Sequence, residues 1–259
     1  MSGKEATVFV VRSGNEVRCA KVYKEANKRS FHQSVDYTEG RKVKNSRQSR
    51  AMSKGSKYGR KVQEEEWQNA EVDALYRLAA AGVRVPVPYN FYEGVLLMEL
   101  VTDVEGNAAP RLNDIVLTED EANNYLQSLL KEVVRMLCAG IIHGDLSEFN
   151  ILMAADGPVI IDLPQAVNAA GNNNAKNMFL RDVNNLTTYF GRFSPSLLKT
   201  QYGREIWSLY EHGQLNNETI LTGRFKEETK AVDLKSVIRI IDDVRKQESF
   251  RILRQQDKS

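Results

Sequence analysis

His143-Gly144-Asp145-Leu146-Ser147-Glu148-Phe149-Asn150 sets an aspartate five residues before an asparagine, and Asp162 stands twelve residues after Asn150. Moving a phosphoryl group needs one carboxylate to orient the attacking hydroxyl, and two oxygen ligands to hold a divalent cation against the phosphates. An Asp, an Asn five residues on, and an Asp at the end of a short apolar strand supply all three. A structural histidine capping a loop, with an aspartate in a turn, would account for Asp145 taken alone. It does not account for three such residues placed between a long apolar helix and a β-hairpin.

The same chemistry needs a cation for the phosphates and a partner to hold it. Lys21, in Cys-Ala-Lys-Val-Tyr, lies on an expected strand ahead of a helix carrying Glu71. Glu64, Glu65 and Glu66 compete with Glu71 for that role. They are expected in the first turn of the helix, facing its dipole, which leaves Glu71 as the partner of Lys21. Met98-Glu99-Leu100-Val101 fits a hinge whose backbone groups at Glu99 and Val101 could bind adenine.

These residues need elements to position them. Residues 8–12 and 17–23 read as strands joined by a turn at Ser13-Gly14-Asn15. Residues 64–81 repeat apolar positions at helical spacing and end at Gly82, and Pro86 and Pro88 mark a turn. Residues 95–101 read as a strand in which Glu99 is the acidic exception. Thr118 to Glu121 has the spacing of a capping box, opening a helix with Leu126, Leu130, Val133 and Leu137 on one face. Short strands at 151–153 and 159–161 flank a turn at Asp156-Gly157-Pro158, and helices are expected at 178–190, 205–210 and about 234–254. The order of elements predicts an α+β protein of two unequal lobes.

Composition narrows the class. Of 259 residues, 42% are hydrophobic and 27% charged, which excludes a disordered chain and an integral membrane protein. The first residues lack the apolar core of a signal peptide. The two cysteines, Cys19 and Cys138, sit in apolar-rich segments and read as buried, reduced thiols of a cytoplasmic protein. The net charge of +2 hides a division: residues 27–62 carry eleven Lys/Arg against two acidic residues, a net of 11 − 2 = +9, and the remainder carries −7. Residues 27–62 lose apolar periodicity and read as a mobile loop. Its charge suits contact with a nucleic-acid backbone, or a solvated loop that binds nothing.

Four segments together resemble the RIO family of atypical serine/threonine protein kinases, most of all its first-described branch. They are Ser-Gly-Lys-Glu-Ala-Thr-Val-Phe at 2–9, Ala-Lys-Val-Tyr-Lys at 20–24, His-Gly-Asp-Leu-Ser-Glu-Phe-Asn at 143–150 and Ile-Ile-Asp-Leu-Pro-Gln-Ala-Val at 160–167. The resemblance runs from residue 2 to about 195. It implies a trimmed bilobal kinase-like fold without the usual activation segment, with a small β-rich N-lobe at 1–98 and a helical C-lobe at 99–259. Consistently, no Ala-Pro-Glu follows Asp162. Residues 2–7 would form the nucleotide loop, with Ser2 and Lys4 near the phosphates of ATP. Asp145 would be the catalytic base, with Asn150 and Asp162 the ligands of Mg²⁺ or Mn²⁺. The residue matching Asp162 can accept phosphate in the family, giving an aspartyl-phosphate and an ATPase-like cycle. Members also autophosphorylate on serine, for which Ser46, Ser49, Ser53 and Ser56 are the candidates here. Relatives act in maturation of the small ribosomal subunit, which makes ribosomal RNA an expected partner of residues 27–62.

Two departures stand out. Only Met1 precedes Ser2, so the strand that leads into the family's phosphate loop is expected upstream, Met1 is expected to be internal, and the chain as written is expected to hold ATP weakly. Leu163-Pro164 replaces a mobile Phe-Gly pair after the aspartate, and proline fixes φ. Two other readings use the same residues. An aminoglycoside- or choline-type phosphotransferase shares the His-Gly-Asp core but usually carries a second histidine where Ser147 stands. A noncatalytic, nucleotide-switched assembly factor would need Lys21, Asp145, Asn150 and Asp162 just as a kinase does.

Overall fold

The computed structural model describes residues 6–23 and 57–226. Its first strands are slightly longer than expected: β1 (Ala6–Ser13) and β2 (Glu16–Tyr23) form a hairpin around Gly14, whose φ of 60° suits glycine in a tight turn. The next described element is α1 (Lys57–Ala80). Helix therefore starts at Lys57 and not at Glu64, and residues 57–62 belong to a helix and not to a loop. The reason is local: Lys, Arg, Gln and Glu are all good helix formers. As a result, Glu64, Glu65 and Glu66 lie beyond the first turn, which holds no acidic residue. The rest of the expected loop, Ser46, Ser49, Ser53 and Ser56 included, lies outside the described residues, as do Ser2, Lys4 and the expected helix at 234–254.

β3 (Pro88–Tyr92) and β4 (Val95–Glu99) complete an antiparallel sheet in the order β1-β2-β4-β3. β3 stands where only a turn was expected. Pro88 is its first residue and β3 is an edge strand, a place where the missing N–H does no harm. The register sets Lys21 between Val8 on β1 and Leu96 on β4. α1 packs Val72, Leu75 and Leu78 into the core, and this buried face also carries Glu71.

The remaining described chain is mainly helical. α2 (Glu119–Cys138) opens with a complete capping box: Thr118 Oγ1 accepts from the Glu121 N–H, and Glu121 accepts from the Thr118 N–H. Leu126, Leu129, Leu130 and Leu137 on α2 have no solvent exposure. Each such burial is worth about 1.5–3 kcal/mol, which makes α2 the spine of this half. β5 (Ile141–Ile142), β6 (Ile151–Ala154), β7 (Gly157–Ile160) and β8 (Val167–Asn168) follow, β5 pairing with β8 and β6 with β7. α3 (Ala175–Phe190) and α4 (Tyr202–Glu211) close the core through Phe179, Val183, Phe190, Ile206 and Trp207.

Cys19 is buried as expected, but Cys138 is exposed. It lies one step round α2 from Leu137, off the apolar face, so the reading of two buried thiols holds for one. No helix among the described residues is long and apolar enough to cross a membrane. A small antiparallel sheet backed by one helix and joined to a helical half is an α+β, trimmed kinase-like fold.

Candidate active site

Three chain segments meet at Lys21. From β2 its Nζ donates to Glu71 Oε1 at 2.5 Å and to Asp162 Oδ1 at 3.3 Å. Glu71 is thus the acid that reaches the lysine, although the reason for preferring it fails, since Glu64, Glu65 and Glu66 lie beyond the first turn of α1. Tyr23, two residues along the same strand face, donates its hydroxyl to Glu71 Oε2 at 2.8 Å. Both carboxylate oxygens are thus engaged, as a buried acid requires. The Tyr23 ring is held edge-on by Phe91 of β3. Burial works against the charge on Lys21, but Glu71 and Asp162 outweigh it and keep its pKa above the ordinary lysine value.

The loop after β5 is fixed through its main chain. Asp182 on α3 accepts from the Gly144 N–H at 2.7 Å and the Leu146 N–H at 3.1 Å. Arg181 donates to the Gly144 carbonyl, and Asn185 Nδ2 donates to the Leu146 carbonyl at 3.0 Å. Asp145 thus projects from a backbone gripped on both sides. Gly144 has φ +82°, and a Cβ there would lie 2.6 Å from the Gln165 carbonyl oxygen, so only glycine fits. His143 Nδ1 accepts from the Asp145 N–H, so its Nε2 carries the proton and donates to the Ile161 carbonyl at 3.0 Å. That bond joins the loop to the segment delivering Asp162.

Burial pushes the Asp145 carboxyl above the ordinary aspartate value, against the pull of His143 and Arg181, and Asp162 adds to the rise. Burial also pushes Asp182 up to about 6, opposed by His143, its two amide hydrogen bonds and Arg181. Asn150 Nδ2 donates to the Asp145 carbonyl at 2.8 Å, which leaves the amide oxygen as its free donor atom. Asp162 has φ +67°, a left-handed conformation that aspartate adopts at some cost and that recurs at functional positions. Its side chain is 49% exposed. An amide oxygen and an accessible carboxylate are hard oxygen donors that suit Mg²⁺ or Mn²⁺, so Asn150 and Asp162 fit the metal expected of them.

The hinge residues divide. The Glu99 N–H donates to the Val87 carbonyl at 2.8 Å, and its carboxylate is held by Arg84 at 2.9 and 3.0 Å. Burial opposes the charge on Glu99, but Arg84 and the Val87 N–H hold its carboxyl below the usual range. The N–H and the carboxylate of Glu99 are thus both engaged within the protein. The Val101 carbonyl accepts from the Ala109 N–H, and its own N–H has no acceptor among the described residues. Tyr23, Arg84 and Asp182 were missed by sequence reasoning. A lone acid inside the apolar stripe Met178, Phe179, Val183 and Leu186 was the available signal for Asp182.

Comparison with known proteins places these features in a family. The RIO domain, as a family profile, matches residues 7–202. The RIO-type serine/threonine-protein kinase Rio1 of Haloferax volcanii is 36% identical over 193 residues, 74% of this chain and 61% of that protein. The protein of the same name from Methanocaldococcus jannaschii is 31% identical over 192 residues, with the same two shares. The human serine/threonine-protein kinase RIO1 is 28% identical over 244 residues, 90% of this chain and 41% of that protein. The chain thus spans about three-fifths of the length of its archaeal relatives.

Proposed function

The chain belongs to the RIO family, its match covering residues 7–202, and from this premise we propose that it is an ATP-dependent serine/threonine protein kinase of that type. The observation that carries the reading is the meeting of Lys21, Glu71 and Asp162 from segments 50 and 141 residues apart in sequence. Lys21, held by Glu71, takes the α- and β-phosphates of ATP. The Val101 N–H is the free donor for the purine edge, and residues 99–101 form the adenine seat, with the Glu99 backbone carbonyl as its acceptor. Asn150 and Asp162 are the residues that would hold a divalent cation, which when bound supplies positive charge to the phosphate oxygens.

Asp145 accepts the proton of the substrate hydroxyl as the oxygen forms its bond to the γ-phosphorus. The bond from that phosphorus to the bridging oxygen breaks, and ADP leaves with its electron pair. A carboxyl raised by burial is a better proton acceptor than an exposed aspartate. The backbone grip on residues 144–146 fixes where that acceptor points before substrate arrives.

A second reading is favoured by the accessible Asp162 carboxylate. One of its oxygens attacks the γ-phosphorus, ADP leaves, and water later hydrolyses the aspartyl-phosphate, making an ATPase switch. Contact of residues 27–62 with ribosomal RNA, a role in small-subunit maturation, autophosphorylation on Ser46, Ser49, Ser53 or Ser56 and a cytoplasmic location belong to the proposal on the strength of the family and the +9 charge.

Incubation with ATP labelled at the γ-phosphate tests these readings. Phosphoserine that disappears in Asp145→Ala is expected of the kinase. Hydroxylamine-labile label that disappears in Asp162→Ala, without phosphoserine, would replace the kinase by the switch. No nucleotide binding would overturn both.

A further inference from the structure

Arg84 joins more of the molecule than any residue assigned above. Its guanidinium grips Glu99, the last residue of β4, through two parallel bonds of 2.9 and 3.0 Å. The same group reaches Asp156, in the turn between β6 and β7, at 3.1 Å from Nε. Its N–H donates to Glu132 on α2 at 2.8 Å, and its carbonyl accepts from the Ile160 N–H at 3.0 Å. Glu99 also accepts from the Val87 N–H at 3.0 Å.

The geography matters more than the count. Glu99 ends β4 and opens the hinge. Asp156 and Ile160 bracket β7, whose far end leads within two residues to Asp162, while β6 starts directly after Asn150. A four-residue strand is about 13 Å long. Arg84 therefore holds the hairpin at both ends of β7 and ties it to the hinge strand with a single side chain and its own backbone. A bidentate arginine–carboxylate pair fixes direction as well as distance, which a lysine point charge cannot do.

We propose that Arg84 is a positioning residue for the nucleotide: it fixes the separation between the hinge and the hairpin carrying Asn150 and Asp162, and so sets affinity for a ligand that must touch both at once. The proposal rests on the reading of residues 99–101 as the adenine seat. Adenosine touches only one end of this span, and ATP touches both. Loss of the tie leaves each end intact and loosens their spacing, so ATP alone should feel it.

The test compares the full chain with Arg84→Met, Arg84→Lys and Asp156→Asn. Arg84→Met should raise KM for ATP about tenfold, with kcat at saturation lowered less than about threefold and the adenosine inhibition constant within about twofold of wild type. Arg84→Lys should follow Arg84→Met, because lysine cannot hold both carboxylates. Asp156 is exposed, so Asp156→Asn keeps the fold even if the arginine variants do not, and it should raise KM about twofold. Arg84→Met combined with Glu99→Gln should be no worse than Arg84→Met alone, the non-additivity expected of groups acting as one.

An unchanged KM in Arg84→Met and Asp156→Asn overturns the proposal. So does a loss of adenosine and ATP affinity by the same factor, which would make Arg84 a prop of the hinge and nothing more. ATP lacking the purine N1 separates the underlying reading. If the wild type binds 1-deaza-ATP as tightly as ATP, the adenine seat fails. If it binds 1-deaza-ATP more weakly while Arg84→Met leaves KM unchanged, the tie alone fails.

Discussion

The loop around Asp145 and the corner around Lys21 are held in opposite ways. The loop is gripped by its main chain, through Arg181, Asp182 and Asn185 of a single helix. Those bonds are satisfied before any ligand arrives, and no ligand can replace them. The corner is made of side chains alone, with Lys21 shared between Glu71 and the half-exposed Asp162. An incoming triphosphate offers the same lysine more negative charge than Asp162 does. The loop is therefore a fixed device and the corner an exchangeable one. Damage to the loop should fall on kcat, and damage to the corner on KM.

The largest effect sharpens this contrast. Asp145→Asn should lower kcat by about 10² to 10⁴-fold with KM for ATP nearly unchanged, measured by steady-state phosphotransfer. Asp182→Asn should lower kcat by about 10 to 100-fold, because an amide can accept from only one of the two N–H groups and presents its NH₂ to the other. If instead its KM rises and kcat holds, the loop is not the fixed device described. Glu71→Gln should raise KM for ATP about tenfold, since it removes the charge that holds Lys21. Tyr23→Phe should move KM the same way by about threefold and lower the melting temperature by a few degrees, because a buried Glu71 oxygen loses its donor although the ring still packs on Phe91.

A pH titration gives a smaller test that touches only the loop. Asp182 has a carboxyl near 6 in the folded protein against 3.8 ordinarily. Folding therefore favours its protonated form, and the stability this group contributes is present at low pH and lost as pH rises from about 4 through 6. Urea unfolding should show wild type gaining about 2 kcal/mol over Asp182→Asn on going from pH 7 to pH 4.5. An equal difference at both pH values would show that the carboxylate is not desolvated.

What could be read in the sequence follows the same division. Asp145, Asn150 and Asp162 stand at fixed intervals, so the chain itself displays them, and the capping box at Thr118 displays the start of α2. Glu71 needed one inference, from helix position, whose premise the true start of α1 removes. Tyr23 announces nothing and Asp182 only an odd acid in an apolar stripe, because their partners lie 48 and 38 residues away and only the packed structure brings them together. Glu99 was visible as an odd acid in an apolar strand, but the Arg84 that its charge answers was not. The start of α1 was misplaced because a run of Lys, Arg and Ser reads as loop by composition, although its last part has ordinary helix propensity.

The Lys21–Asp162 bond spans 141 residues. At ribosomal rates of about 5–20 residues per second, Asp162 is made roughly 7–30 s after Lys21. Glu71, 50 residues on, is made well before then, but for the whole interval the lysine lacks Asp162 and the corner is incomplete. ATP can then add stability only to the finished fold, by mass action on the native state. It cannot serve as a template for the earlier steps of folding, and the helix that grips Gly144 and Leu146 must arrive later still.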